Sequence, residues 1–289
     1  MRFRARMQDA LYMREFQSII ATLAKLAKEC IMILADQQMH FIVNEEHNST
    51  TAPLVWASIA AADYFPEYKM VPAREDHPYI VLAMSAAHLS RALAALRTGA
   101  TVNSCKLKLQ RIQFPCFSVI ASVVSQQSAE PREVVHDVPV NVVAASDWPA
   151  YKIPKVPTSQ LVLSMPSLRM MRNVIDSLKN MSPTMIFHAN AGGELNLVAE
   201  SEMVTITTAF RHLLLRRLVN RDPTDNDEQQ VAPDASCSVD CRKASSFFSA
   251  LQLPNEELSI GIDSENCIHL QLDVRESVVL HSILPAVCF

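Results

Sequence analysis

The hydrophobic and polar positions along the chain repeat one pattern four times: a short alternating strand followed at once by an amphipathic helix. The strand starts at residues 1, 79, 160 and 237 are 78, 81 and 77 residues apart. Such regular spacing indicates an internal repeat. The four strand segments are MRFRARM (1–7), YIVLAMS (79–85), QLVLSMP (160–166) and CSVDC (237–241).

Each helix is followed by strand-like segments at hairpin spacing. The turn Asn-Ala-Gly-Gly at 190–193 separates two of them. Strand-rich units with short turns predict antiparallel sheets with helices on one face, which is the α+β class. The further strands are expected within 30–43, 104–123, 135–143, 184–210, 257–274 and 277–287.

Two repeat units in each half of the chain predict two similar domains with two helices each. We expect an N-terminal domain at 1–143, an extended connector at 144–157 and a C-terminal domain at 158–289. The connector sequence AASDWPAYKIPKVP contains three prolines among mixed polar residues. A second irregular stretch at 221–236 is acidic and nearly free of large apolar residues, so we expect a mobile loop there.

Composition excludes some classes of protein. At 289 residues, 49% hydrophobic and 19% charged, the chain can bury a substantial core. Four glycines are too few for the phosphate-binding loops of the common nucleotide-binding enzymes. We expect no signal peptide in the charged start MRFRARMQD and no membrane span, because no apolar run reaches about 18 residues. Seven cysteines without a secretory signal favour a reducing compartment, cytosol or nucleus.

Positive charge is concentrated in the four predicted helices. The net charge of the chain is −4, yet the helices contain ten of its 26 Lys and Arg and only three of its 30 Asp and Glu. If the helices lie side by side, their outer faces form one electropositive surface suited to phosphate contacts without base reading. The ten predicted DNA-facing residues are Arg14, Lys25, Lys28, Arg91, Arg97, Arg169, Arg172, Lys179, Arg242 and Lys243.

The sequence contains only weak candidates for catalytic or metal-binding motifs. Cys237 and Cys241 lack the second pair or nearby histidine of a zinc site, so buried thiols are expected. His136 and Asp137 are adjacent in a strand and therefore point to opposite faces. No nucleophile elbow and no H-E-x-x-H motif occurs. We expect no catalytic residue, no metal and no cofactor.

Several short segments along the chain can be compared with known families: MRFRA, LAKLAKEC, LSRAL, FPC, HDVPV, GELNL and VTITTAF. Together they resemble the sliding DNA clamps of the PCNA type, and among them the Hus-one subunits of the nine-one-one checkpoint clamp. The similarity runs from residue 1 to the ILPAV ending at 283–287, with departures in the connector and at 44–56 and 221–236.

The resemblance implies a non-catalytic subunit of a heterotrimeric ring with Rad-nine and Rad-one type subunits on duplex DNA at damaged sites. A clamp loader, checkpoint kinase signalling, DNA repair enzymes and a nuclear location that allows a cytoplasmic pool are implied with it. The ring would close through edge strands at 136–143 and 202–210. The interface residues predicted in these strands are Val138, Val140, Val142, Val204, Ile206 and Thr208.

Two other functions stay open at this point. A homotrimeric replicative processivity clamp would share the fold, the basic helices and the connector. A soluble α+β enzyme would use the basic helices to surround a small anionic substrate. Self-association separates the first from a heterotrimeric subunit, and salt-dependent duplex binding without turnover counts against the second.

Overall fold

The computed structural model describes residues 1–44, 54–72, 78–97, 101–111, 113–125, 128–218, 234–251, 257–264, 266–275 and 277–287. The helices within these ranges are α1 (Ala10–Leu26), α2 (Ala61–Tyr64), α3 (Ala86–Ala92), α4 (Leu168–Leu178) and α5 (Cys241–Ala250). Two 3-10 helices lie at Ala94–Leu96 and Ala145–Tyr151. The predicted loop at 221–236 falls mostly outside the described residues.

The strands alternate with these helices along both halves of the chain. Those of the N-terminal half are β1 (Arg2–Met7), β2 (Glu29–Leu34), β3 (Gln38–Asn44), β4 (Leu54–Ala60), β5 (Glu67–Val71), β6 (Ile80–Ser85), β7 (Thr101–Arg111), β8 (Pro115–Ser125) and β9 (Ser128–Val142). Those of the C-terminal half are β10 (Leu161–Ser164), β11 (Thr184–Asn190), β12 (Glu194–Glu200), β13 (Thr205–Phe210), β14 (Leu215–Leu218), β15 (Ala235–Asp240), β16 (Glu257–Asp263), β17 (Cys267–Val274) and β18 (Val278–Pro285).

The four predicted strand–helix units are confirmed as β1–α1, β6–α3, β10–α4 and β15–α5. Capping side chains explain where three of the helices begin. Asp9 accepts from the Leu11 N–H at 2.7 Å, Ser85 from the His88 N–H at 3.3 Å, and Asp240 from the Arg242 N–H at 2.7 Å. Helix α3 is short, because the turn that follows it tightens into the 3-10 helix at Ala94–Leu96.

Three elements between β3 and β6 were not predicted: β4, α2 and β5. Strand β4 pairs with β3 on one side and with β18 on the other, so it lies inside the sheet. Its consecutive residues Val55, Trp56 and Ala57 are all buried. A strand that is covered on both faces loses the alternation by which a half-buried strand is recognised.

The strands form two antiparallel sheets, as the α+β class requires. A 14-stranded sheet has the order β14-β10-β16-β17-β18-β4-β3-β2-β6-β9-β8-β7-β1-β5, and a four-stranded sheet has the order β13-β12-β11-β15. The larger sheet runs through both halves because β18 pairs with β4. In the four-stranded sheet, Gly193 takes a φ of 80° at the β11–β12 turn, where an added Cβ would lie 2.4 Å from the Leu213 oxygen.

The segment expected to be an extended connector begins with the 3-10 helix at Ala145–Tyr151. Its Trp148 and Tyr151 pack against a small apolar cluster around Trp56, and the Trp148 indole N–H donates to the Val143 oxygen at 3.2 Å. Just after the connector, Ser159 packs closely against Gly261 of β16. A Cβ added to Gly261 would lie 2.3 Å from the Ser159 hydroxyl oxygen. The connector is thus held against the sheet near both ends. No helix in the described ranges is long and apolar enough to cross a membrane.

A buried polar cluster joins the two halves beside the β4–β18 pair. Glu15 of α1 is 7% exposed and accepts from the Tyr64 hydroxyl at 2.9 Å. The Arg275 guanidinium, in the turn between β17 and β18, lies 3.0 Å from the same carboxylate and stacks over the Tyr12 ring. Burial raises the pKa of Tyr64 above its usual range. The N-terminal half therefore depends on the C-terminal half to neutralise a buried charge.

We predict that Arg275→Ala lowers the free energy of unfolding by about 1–3 kcal/mol, because the buried Glu15 carboxylate loses the cation that lies beside it. Urea denaturation measures the change. Arg211→Ala is the matched control, since its pair with Glu194 is exposed, and it should cost no more than about 1 kcal/mol. Glu15→Gln in the Arg275→Ala background should recover part of the loss. An Arg275→Ala chain as stable as the unmodified chain contradicts the prediction.

Candidate nucleic-acid interface

Four helices form a continuous row on one side of the sheets. Helix α4 packs against α5, α5 against α1, and α1 against α3. The apolar side of α1, including Phe16, Ile19 and Leu23, is buried, whereas Arg14 and Lys25 are exposed on its other side. The row therefore presents its polar faces together, as the charge pattern predicts.

The most cationic part of the row is a groove of about 520 Å³ between α1 and α3. Three cations line it: Lys25 of α1, Arg91 of α3, and Arg97 after the 3-10 helix. The other lining residues are alanines with Gln17 and Ser90, so no carboxylate competes for the cations. Lys28, just beyond the end of α1, is also exposed.

Arg172 does not belong to this exposed surface, contrary to the sequence prediction. Its Nε donates to the Phe248 oxygen at 2.6 Å, and an Nη donates to the Leu251 oxygen. These carbonyls end α5 and have no intrahelical partner of their own. Arg172 of α4 therefore caps the neighbouring helix and holds the two helices together.

Lys179 is engaged in a similar way, which corrects a second predicted contact. Its ammonium donates to Asp176 at 2.7 Å and to the Ser245 hydroxyl of α5 at 3.1 Å. The hydrogen bond from Lys179 lowers the pKa of Asp176 below its usual range. The local charge is balanced, and the pair ties α4 to α5.

The remaining predicted cations of the C-terminal half have mixed environments. Arg169 and Arg242 are exposed, whereas Lys243 is half-buried. Arg242 and Lys243 line a cavity of about 220 Å³ between α1 and α5, with an apolar floor that includes Leu26 and Phe247. Exposed positive charge is therefore denser on the N-terminal half of the row.

Strand β13 lies at one end of the four-stranded sheet and, among the described residues, pairs only with β12. Of the residues predicted there, Val204 precedes the strand and is 49% exposed, while Ile206 and Thr208 are half-buried within it. Met203, in the preceding turn, is 93% exposed. The second predicted edge is therefore an edge in the structure.

The first predicted edge has to be moved along its strand. Val140 and Val142 of β9 pair with Met84 and Leu82 of β6, so this end of the strand has a neighbour in the same chain. Val138 and Val140 are also buried in the core of their own half. Among the described residues, the earlier part of β9, up to Val138, pairs with β8 alone, because α3 begins where β6 would continue.

Comparison with known proteins decides between the families that this geometry allows. Residues 1–288 match the family described as Hus1-like protein. The chain belongs to the Hus1-like family. It is 62% identical to the checkpoint protein Hus1-like of Drosophila melanogaster, over 100% of both chains. It is 29% identical to the checkpoint protein HUS1 of Homo sapiens over 99% of each chain.

Solved structures agree with the Hus1-like assignment at the level of fold. The proliferating cellular nuclear antigen of Entamoeba histolytica has a TM-score of 0.71 at 14% identity, and the match covers 99% of each chain. PCNA of Thermococcus kodakaraensis has a TM-score of 0.68 at 16% identity, over 99% of this chain and 100% of the other. The chain has the sliding-clamp fold.

The residues of this Hus1-family chain that were considered for catalysis or metal binding have structural surroundings. Asp137 accepts from the Ser118 hydroxyl and from the Gln110 amide at 3.4 Å, on one face of β9. Burial raises the pKa of Cys237 to about 12 and that of Cys241 to about 11. Across the part of the chain that the structure describes, no group of three His, Cys, Asp or Glu residues is arranged to hold a metal.

Sequence reasoning did not single out the exposed apolar residues in the earlier part of β9. Val134 and Val135 of β9 are 37% and 51% exposed, and both lie where β8 is the strand's one neighbour in the described ranges. Adjacent residues of a strand point their side chains to opposite faces, so this part of β9 has an exposed valine on each face. The two adjacent valines are visible in the sequence, but Val138, Val140 and Val142 fit the alternating pattern of a strand better, and two of these three, Val138 and Val140, are buried.

We predict that Arg172→Ala lowers the free energy of unfolding by about 1–3 kcal/mol, because two carbonyls at the end of α5 lose a charged donor. Arg169→Ala on the same helix is the control and should change stability by no more than about 0.5 kcal/mol. Urea denaturation of both variants gives the comparison. Equal stability of the two variants would show that Arg172 is not a capping residue.

Proposed function

We propose that this chain is one of three different subunits of a DNA-damage checkpoint clamp that encircles duplex DNA. The other two are Rad-nine and Rad-one type subunits. The observation that carries the proposal is the row of helices with exposed cations in a chain of the Hus1-like family. The ring is a platform for checkpoint kinase activation and DNA repair enzymes, and it has no catalytic site.

The helix row supports non-specific contact with DNA phosphates. The groove between α1 and α3 carries Lys25, Arg91 and Arg97 without an acidic residue in its lining. Cations that contact phosphates give affinity but no sequence information. Arg14, Lys28, Arg169 and Arg242 extend this surface, so DNA contact is strongest along the N-terminal half of the row.

Edge strands support closure of the ring. Within the described part of the chain, strand β13 and the earlier part of β9 each have one unpaired side, and such strands pair readily with another chain. The valines at 134 and 135 on β9, together with Val204 and Ile206 around β13, supply apolar side chains at these edges. Each edge pairs with a different neighbour in a heterotrimer.

Loading and location follow from the same proposal. A closed ring has to be opened to reach duplex DNA, so an ATP-driven clamp loader is a required partner. The proposed site of action is the nucleus, with a smaller cytoplasmic pool before assembly. In this proposal the chain binds other proteins and DNA and holds them in position, and it does not catalyse a reaction.

The two alternative functions would use the edge strands and the α1–α3 groove in different ways. In a homotrimeric replicative clamp, β9 and β13 of identical chains would pair with each other. In an enzyme, the α1–α3 groove would hold a small anion and turn it over. Three relatives that carry the name checkpoint protein favour the heterotrimeric subunit over both.

We predict that the purified chain alone is monomeric and forms a 1:1:1 complex with Rad-nine and Rad-one type subunits. The reason is that its two edges are matched to different neighbours. Sedimentation velocity of the chain alone and of the mixture measures the assembly size. A stable trimer of this chain alone would favour the homotrimeric clamp instead.

Proline substitutions at Val134 and Val135 locate the junction within this experiment. Adjacent residues of a strand point their N–H groups to opposite sides, so one of the two faces β8 and the other faces the open edge. The proline that faces β8 should destabilise the monomer. The other should leave the monomer folded and block assembly. Normal assembly of both variants would show that the junction lies elsewhere.

We predict that Lys25→Ala, Arg91→Ala and Arg97→Ala each flatten the slope of log affinity against log salt by about 0.9 for duplex DNA. The triple variant in the assembled ring should show the summed change, with similar losses for unrelated DNA sequences. Arg172→Ala is the control, because its guanidinium is already engaged. An unchanged slope in the triple variant, or a loss confined to one DNA sequence, contradicts the prediction.

A further inference from the structure

Three cations form a row on the face of the large sheet that points away from the helices. Arg4 of β1 lies opposite Lys69 of the end strand β5 and opposite Lys108 of β7. The alternate residues Phe3 and Ala5 are buried toward the helices, so the three cations point to the other side. All three are exposed. We call this set, Lys69, Arg4 and Lys108, the cation row.

The charge of the cation row is largely uncompensated within the described residues. Like charges directly opposite each other on neighbouring strands destabilise a sheet. The Arg4 guanidinium lies 4.0 Å from the Glu67 carboxylate, and that carboxylate is closer to the Arg6 guanidinium, at 3.5 Å. By contrast, the neighbouring Lys106 has its own acid, Glu133, at 3.1 Å. An arrangement of this kind favours an anionic partner.

Acidic residues limit the size of that partner. The strand register continues from Lys108 to Ser118 of β8 and then to Asp137 of β9, so the row ends on a carboxylate. Glu67 and Glu133 flank it on the side of Arg6 and Lys106. A nucleic acid that continued over this face would bring its phosphates against these carboxylates. A short acidic segment with few charges fits the row better.

The spacing of the row favours a helix. Neighbouring strands are about 4.8 Å apart, so the cations follow one another at roughly that interval. A helix that carries an acid on one face at each turn presents carboxylates about 5.4 Å apart. An extended peptide repeats the same face only every 6.6 Å or so and loses the match after one step. We propose that the cation row binds an acidic helical segment of a partner protein that lies across β5, β1 and β7.

The test is an NMR titration of the isotope-labelled full chain at low salt. The probe is an alanine-rich helical peptide with glutamates on one face at every turn, and its isomer has the same glutamates spread around the helix. We expect saturable amide shifts confined to β1, β5 and β7, with the one-face peptide binding more tightly. Failure of the one-face peptide to shift these amides overturns the proposal, as does equal binding of the isomer.

Variants distinguish binding at the cation row from a general attraction between the acidic peptide and positive charge anywhere on the chain. Arg4→Gln with Lys69→Gln and Lys108→Gln should weaken binding about fivefold or more. The control, Lys152→Gln with Lys155→Gln and Arg211→Gln, removes the same charge elsewhere and should bind like the unmodified chain. Equal weakening of both variants overturns the proposal. So does a stronger effect of duplex DNA or inorganic phosphate on the same amides.

A stability measurement completes the test. Because the cation row is repulsive, the triple variant should melt at the same temperature as the unmodified chain or higher. A clearly lower melting temperature would mean that the cations serve the fold, and would also overturn the proposal. The result is independent of DNA binding by the helix row, which lies on the other face.

Discussion

The pairing of β4 with β18 is the constraint on which the rest of the architecture depends. It runs from Leu54 to Ile59 against Val278 to Ile283 and makes one sheet out of the two halves. Only this continuity brings α5 beside α1, so that four helices from two halves become one row. The buried carboxylate of Glu15, matched by Arg275 from the other half, fixes the same seam with a charge that neither half could bury alone.

Positive charge on the helices has two physical uses that composition cannot separate. At Arg172 and Lys179 it satisfies carbonyls and a carboxylate between α4 and α5. At Lys25, Arg91 and Arg97 the neighbours are alanines, and the charge stays available to a ligand. Whether a helical cation is free depends on what the adjacent helix presents, which is a property of packing and not of the cation's own sequence.

The same distinction explains what the sequence could predict. The repeat, the hairpins and the buried faces follow from local periodicity, which does not depend on which elements become neighbours. The alternating pattern at Val138, Val140 and Val142 indicates a strand, in which Val138 and Val140 are buried and Val142 is 38% exposed. The pattern cannot show that β9 leaves β8 and joins β6 at that point. Strand β4 was not predicted from the sequence, because a central strand that is buried on both faces does not alternate between apolar and polar residues.

The two charged faces of the molecule are separated by the full helix layer. A helix with its side chains is about 10–12 Å thick, which exceeds the Debye length of about 8 Å at physiological ionic strength. Cations of the α1–α3 groove and of the cation row therefore interact little through solvent. A duplex on the helix side and an acidic partner on the sheet side can bind at the same time without electrostatic competition. The most direct structural connection between the two faces is β7, because this strand carries Lys108, pairs with the Arg4 strand β1 and packs against α1.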